Sequence, residues 1–157
     1  MNQIAFLQSA FSRRFSSDAV SERYDLTMLT DVVLTSIDPL LERRGQNLVF
    51  DAADNPIVVT GDPRMIFALL SAVVLEAAGL SSARADLRIV IDMDESDAVL
   101  TVIGANTNHL PGSLIGLDRE LLQLAHLSGA ELELIWGEHE GPTLVLRFVA
   151  KTKGTSH

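Results

Sequence analysis

The side chains able to do chemistry in this chain are few and mostly acidic. There is no cysteine, so disulfides and thiolate metal sites are excluded, and the redox compartment stays undetermined. Histidines stand at His109, His126, His139 and His157, and no two of them have the spacing of a metal pair. The densest group of carboxylates is Asp92, Asp94, Glu95 and Asp97. An EF-hand calcium loop needs ligands at alternate positions, a central glycine and a closing glutamate. This run lacks that pattern and is expected to form the solvated tip of a hairpin. Ser81-Ser82 reads as a cap or turn rather than a nucleophile, and the sequence contains no nucleophile elbow, Walker loop or dinucleotide fingerprint. What remains is Glu76, a single carboxylate in the otherwise uncharged run 66–78.

The element that carries Glu76 is the stretch Gly61–Ser82. Asp62 can cap a helix and Pro63 is pre-set for its first turn. Ile66, Leu69, Leu70, Val73, Val74 and Ala77 then recur at helical spacing, and Gly79 stands where the helix is expected to end. The spacing predicts an apolar helix over 63–78.

The rest of the chain must position that helix. At 157 residues, 47% hydrophobic and 21% charged, it is most simply one ordered domain that buries roughly two-thirds of its surface. Twelve basic against twenty-one acidic residues give a formal charge of −9, which disfavours nucleic acid and anionic membrane as partners. No apolar run approaches the roughly 20 residues needed to span a bilayer. The start of the chain lacks the pattern of a signal peptide, and the expected location is the cytoplasm. Ile4, Leu7, Phe11 and Phe15 predict a short amphipathic N-terminal helix that packs on the domain or on a second copy; Arg13 and Arg14 lie beside this face. Ser16–Glu22 reads as a linker, so 1–22 is set apart from a domain over 23–151 and a disordered tail over 152–157.

From Asp25 a helix is expected to run to about Arg44, kinked or split at Pro39 and stopped at Gly45. Strands follow over Leu48–Ala52 and Ile57–Thr60 around a turn at Asp54-Asn55-Pro56, with a hairpin of Leu87–Met93 and Ala98–Ile103 after the Glu76 helix. Asp118–Leu127 reads as a helix capped by Asp118 and ended by Gly129, before a closing hairpin of Ala130–Trp136 and Thr143–Ala150. Paired strands with helices between them argue for an α/β (α+β) two-layer sandwich, with a mixed, mostly antiparallel sheet covered on one face by helices.

In this order the pieces resemble the ATP-binding catalytic domain of sensor histidine kinases, the Bergerat or GHKL fold, over Asp25–Ala150. The resemblance rests on Tyr24-Asp25-Leu26, Pro39…Gly45 leading into Leu48-Val49-Phe50, and the Gly61-Asp62-Pro63 turn. It continues through Leu69-Leu70…Ala77, the paired strands up to Val102, Gly116-Leu117…Leu124…Gly129 and the closing hairpin. In that family the long helix presents asparagines one turn apart toward magnesium and triphosphate. Their matches here are Ala72, which ligates nothing, and Glu76, which can coordinate magnesium but adds negative charge where a triphosphate must approach. The adenine-reading aspartate is matched by Gly104, and the glycines after it by Asn106 and Asn108. Only the short segment Thr107–Ile115 stands in place of the ATP lid, and the second glycine-rich turn keeps Gly116-Leu117 alone.

The expected function is therefore a degenerate, pseudokinase-like domain with no catalytic residues. It would act in two-component signalling through a response regulator or kinase partner, or by homodimerisation through Ile4, Leu7, Phe11 and Phe15, with no bound cofactor. Two other readings stay open. One is a histidine phosphotransferase with a worn-out ATPase domain, or a fragment of one, since residues 1–24 hold no phosphoacceptor histidine segment. The other is a divergent kinase domain that binds ATP and magnesium through Glu76. His126 is expected to serve packing.

Overall fold

The computed structural model describes residues 21–52, 54–106, 117–137 and 141–149. Among the described residues, seven strands and three helices follow one another along the chain. They are β1 (Glu22–Asp25), α1 (Leu26–Glu42), β2 (Asn47–Asp51), β3 (Val58–Gly61) and α2 (Pro63–Leu80), followed by β4 (Asp86–Asp94), β5 (Asp97–Ile103), α3 (Arg119–Leu127), β6 (Ala130–Gly137) and β7 (Gly141–Phe148).

The period-two pattern of the strands builds the sheet. β2, β4, β5, β7 and β6 lie side by side in that order, with β2–β4 parallel and the other pairs antiparallel. The register aligns apolar residues in rows across it: Ile89, Val102, Leu144 and Leu134 form one, and Ile91, Leu100, Leu146 and Leu132 the next. The inner members of both rows are buried, and the intervening positions are half-buried, as Val90, Thr101 and Val145 are, or exposed, as Arg88 and Asp92 are. One face therefore meets the helices, as an antiparallel sheet with alternating residues must.

The helices cover that face. α2 packs against β5, β7, α1 and α3, and ten of its eighteen residues are buried. By length and composition alone this helix is apolar enough to cross a bilayer, so it comes nearer that threshold than expected; its burial is that of a core helix. Both predicted caps form, with Asp62 accepting from Arg64 N at 3.0 Å and Asp118 from Glu120 N at 2.8 Å, and Asp25 caps α1 in the same way by accepting from Thr27 N at 3.0 Å. α1 ends in a turn with Gly45 at φ +71°, where Gln46 N donates to Leu41 O at 3.0 Å.

Four expectations fail for identifiable reasons. α1 runs through Pro39 as one helix, because Val33, Leu34, Ile37 and Leu41 pack into the core on both sides of it while Pro39 stays exposed. β2 and β3 do not pair across the Asp54-Asn55-Pro56 turn. β2 joins the large sheet, and β3 pairs antiparallel with β1, a strand that takes in Glu22 from the expected linker.

Gly79 does not stop α2, which continues to Leu80. Its last carbonyls are satisfied from other elements. Gln46 Nε2 donates to Ala78 O at 3.0 Å, Asn106 Nδ2 to Leu80 O at 2.9 Å and Ser81 Oγ to Ala77 O at 2.7 Å. Buried amides thus replace the left-handed glycine that would otherwise close the helix. The residues expected to form the N-terminal helix, including Ile4, Leu7, Phe11 and Phe15, lie outside the described residues.

Candidate functional site

The positions matched to a nucleotide site gather at the C-terminal half of α2, the end of β5 and the start of α3. Ala72 is 1% exposed and belongs to the core. Glu76, one turn further on, is half-buried, and the two share a face of α2 without sharing a surface. Burial first, and the nearby charge of Asp118 second, push the Glu76 carboxyl above the usual carboxylate range. Asp118 caps α3, so the juxtaposition arises from packing of α2 against α3. Residues so far apart in the chain carry no local signal of it, and the sequence pattern showed Asp118 only as a cap.

This pair makes a prediction. The folded state holds Glu76 at a raised pKa, so its stabilising contribution is present when protonated and is lost as pH rises through the folded value. At neutral pH the ionised group is a cost. Glu76→Gln should therefore raise the melting temperature at pH 7, with an advantage that shrinks as pH falls toward 4.5, the ordinary value for this carboxyl. Thermal melts of both proteins across that range check it; a pH-independent difference would remove the electrostatic explanation.

The end of β5 is closed by the chain itself. A Cβ at Gly104 would lie 2.1 Å from Ser81 Oγ and 3.2 Å from Pro142 Cγ. Gly104 N donates to Pro142 O at 2.8 Å, Ala105 N to Ser81 Oγ at 3.3 Å, and Ser82 N to Ala105 O at 2.8 Å. Asn106, matched to a glycine of the nucleotide loop, is 8% exposed, and its amide holds the end of α2. Ser81 is confirmed as a cap residue. Asn108, Gly116 and the segment Thr107–Ile115 lie outside the described residues.

The described residues at these positions do not fit a magnesium-bound adenine nucleotide. Ala72 offers no ligand, Gly104 has neither a side chain nor room for one, and Glu76 with Asp118 presents negative charge. The acidic hairpin tip is likewise answered from within, since Arg147 donates to Asp94 at 2.8 Å and to Asp97 at 3.1 Å. Among the described residues, no three potential metal-ligating side chains converge. His126 is exposed in the last turn of α3, so the packing role expected of it is not what its placement shows.

Similarity to solved structures agrees with this architecture. The histidine kinase AdeS of Acinetobacter baumannii superposes with a TM-score of 0.71 at 12% identity, over 96% of this chain and 75% of that one. The mycobacterial sensor histidine kinase MprB gives 0.64 at 17% identity, over 82% and 97%. Histidine kinase ThkA, crystallised with the response regulator protein TrrA, gives 0.70 at 12% identity, over 94% and 48%. The fold is that of histidine kinase catalytic domains. No family model matches the sequence, and no curated protein matches it either. Within the histidine kinase fold, the expected two-layer α+β arrangement and mixed sheet are both present.

Proposed function

We propose that this chain is a histidine-kinase-like domain that serves two-component signalling by protein–protein contact and does not turn over ATP. The observation that carries this reading is the closed end of β5, where Ser81 Oγ and Pro142 occupy the direction a side chain at Gly104 would take. The buried Ala72 and the Glu76–Asp118 carboxylate pair support it. A response regulator is the proposed partner, supported by the ThkA neighbour that was crystallised with one. Dimerisation through Ile4, Leu7, Phe11 and Phe15 is the proposed alternative mode of contact.

A thermal shift with magnesium and a non-hydrolysable ATP analogue tests the nucleotide half. A ligand at 100 times its dissociation constant adds about 2.7 kcal/mol. For a chain of this size that corresponds to roughly 5–10 °C. The expected result is no shift at millimolar nucleotide. A shift of that size would overturn the non-catalytic reading in favour of a divergent kinase domain. Titration against response regulators then tests the partner, with saturable binding expected for at least one.

A further inference from the structure

The turn after α1 and the loop after α2 are tied together at one corner of the domain. Gln46 Nε2 donates to Ala78 O at 3.0 Å and to Ser82 O at 3.1 Å, while Asn47 N donates to Ala85 O at 3.4 Å. Arg84 N donates to Arg44 O at 3.1 Å, which joins the two segments into one backbone platform.

That platform carries Arg43, Arg44 and Arg84, all of them exposed. Arg64, Arg88 and Arg147 each pair with an aspartate, but among the described residues none of these three makes an ion pair. Glu42 and Asp86 are their nearest carboxylates in sequence. Asp86 accepts from Asn47 Nδ2 at 3.3 Å, and neither carboxylate pairs with an arginine. Unanswered positive charge is thus gathered at one corner of a chain whose formal charge is −9.

Arg84 decides what the cluster is for. Its φ is +68°, a left-handed conformation that glycine adopts freely and arginine does not. The neighbouring turn makes room for its side chain. A Cβ at Gly45 would lie 3.0 Å from Arg84 Cγ, so the arginine stem rests on the bare face of that glycine. Helix C-termini attract cations, so a purely structural role is the rival reading. It predicts that removing Arg84 costs stability, whereas the backbone conformation predicts that glycine fits better there.

We propose that Arg43, Arg44 and Arg84 form a docking surface for an acidic segment of a partner protein. Planar guanidiniums pair with carboxylates through parallel hydrogen bonds, and the backbone that carries these three is already fixed. Elsewhere the net negative charge of the chain repels acidic partners, which gives the corner its selectivity. The surface requires neither a nucleotide nor a response regulator.

Fluorescein-labelled hexaglutamate, titrated with the full chain at low ionic strength, should bind saturably and lose affinity as salt is raised. Arg44→Gln and Arg84→Gly should each weaken binding about fivefold, whereas Arg119→Gln, which removes an exposed arginine on α3, should not. Arg84→Gly should also hold or raise the melting temperature, because glycine suits the left-handed position. Equal losses for all three variants would reduce the effect to net charge and overturn the proposal, as would an absence of binding. A lower melting temperature for Arg84→Gly would overturn it too, by assigning that residue to the fold. Binding of inorganic tripolyphosphate but not of the peptide would replace the carboxylate partner with a phosphate-bearing ligand.

Discussion

Gly104→Asp is expected to destabilise the domain by about 3 kcal/mol and to create no adenine site. The substitution restores the side chain that the resemblance assigns to adenine recognition, so it tests whether one missing carboxylate separates this chain from a nucleotide-binding domain. Its Cβ would fall 2.1 Å from Ser81 Oγ, which is held by its hydrogen bond to Ala77 O. Overpacking of this kind costs roughly 1–3 kcal/mol. A carboxylate left in the same buried place without donors adds a further penalty of about 1–3 kcal/mol. Adding Ser81→Gly should recover part of the loss by opening the space, at the expense of the cap on α2. Chemical denaturation of the three proteins, with nucleotide titration of the folded ones, measures both halves. A Gly104→Asp protein of wild-type stability would show that Ser81 moves aside freely.

The parts of this fold that were legible in the sequence are those in which neighbouring residues carry the signal. Leu69, Leu70, Val73 and Val74 announce a core helix by spacing alone, and all four are buried. Asp62 and Asp118 announce their helices by chemistry, because a short acidic side chain before an apolar run has one nearby backbone amide to satisfy. The strands of the two hairpins were readable through alternation and their turns. What could not be read is set by contacts distant in sequence. β1 has one aromatic residue, Tyr24, among charged ones, and becomes a strand because β3 offers an edge. α2 passes Gly79 because Gln46 and Asn106, more than twenty residues away on either side, bring amides to its end. Local propensity is a weak prior where such partners exist.

The same distinction separates the two halves of the candidate site. That Ala72 and Gly104 supply no ligand is plain from their side chains. That Asn106 serves as a buried clamp, and that Asp118 faces Glu76, depends on packing between elements.

Gly141→Ala should cost about 4 kcal/mol, because this glycine is what lets the clasp close. Gly141 opens β7 at φ +100°, a backbone conformation that L side chains rarely adopt. A Cβ there would lie 2.5 Å from Asn106 N and 3.0 Å from the Cα and carbonyl carbon of Ala105. These are backbone atoms, and they cannot rotate away as a flexible side chain would. Strain at a positive φ costs roughly 1–3 kcal/mol, and overpacking against backbone adds about as much. To relieve the clash, residues 104–106 must leave β7, and the bond from Gly104 N to Pro142 O then lengthens. Asn106 would no longer reach Leu80 O, so the C-terminal turn of α2 should lose its cap in the same step. Denaturant melts give the magnitude, and amide exchange gives the mechanism. Faster exchange confined to the start of β7 would contradict it, whereas faster exchange at both β7 and the last turn of α2 is the expected signature. The loop that resembles a nucleotide cradle then acts in this chain as the tie between the sheet and its central helix.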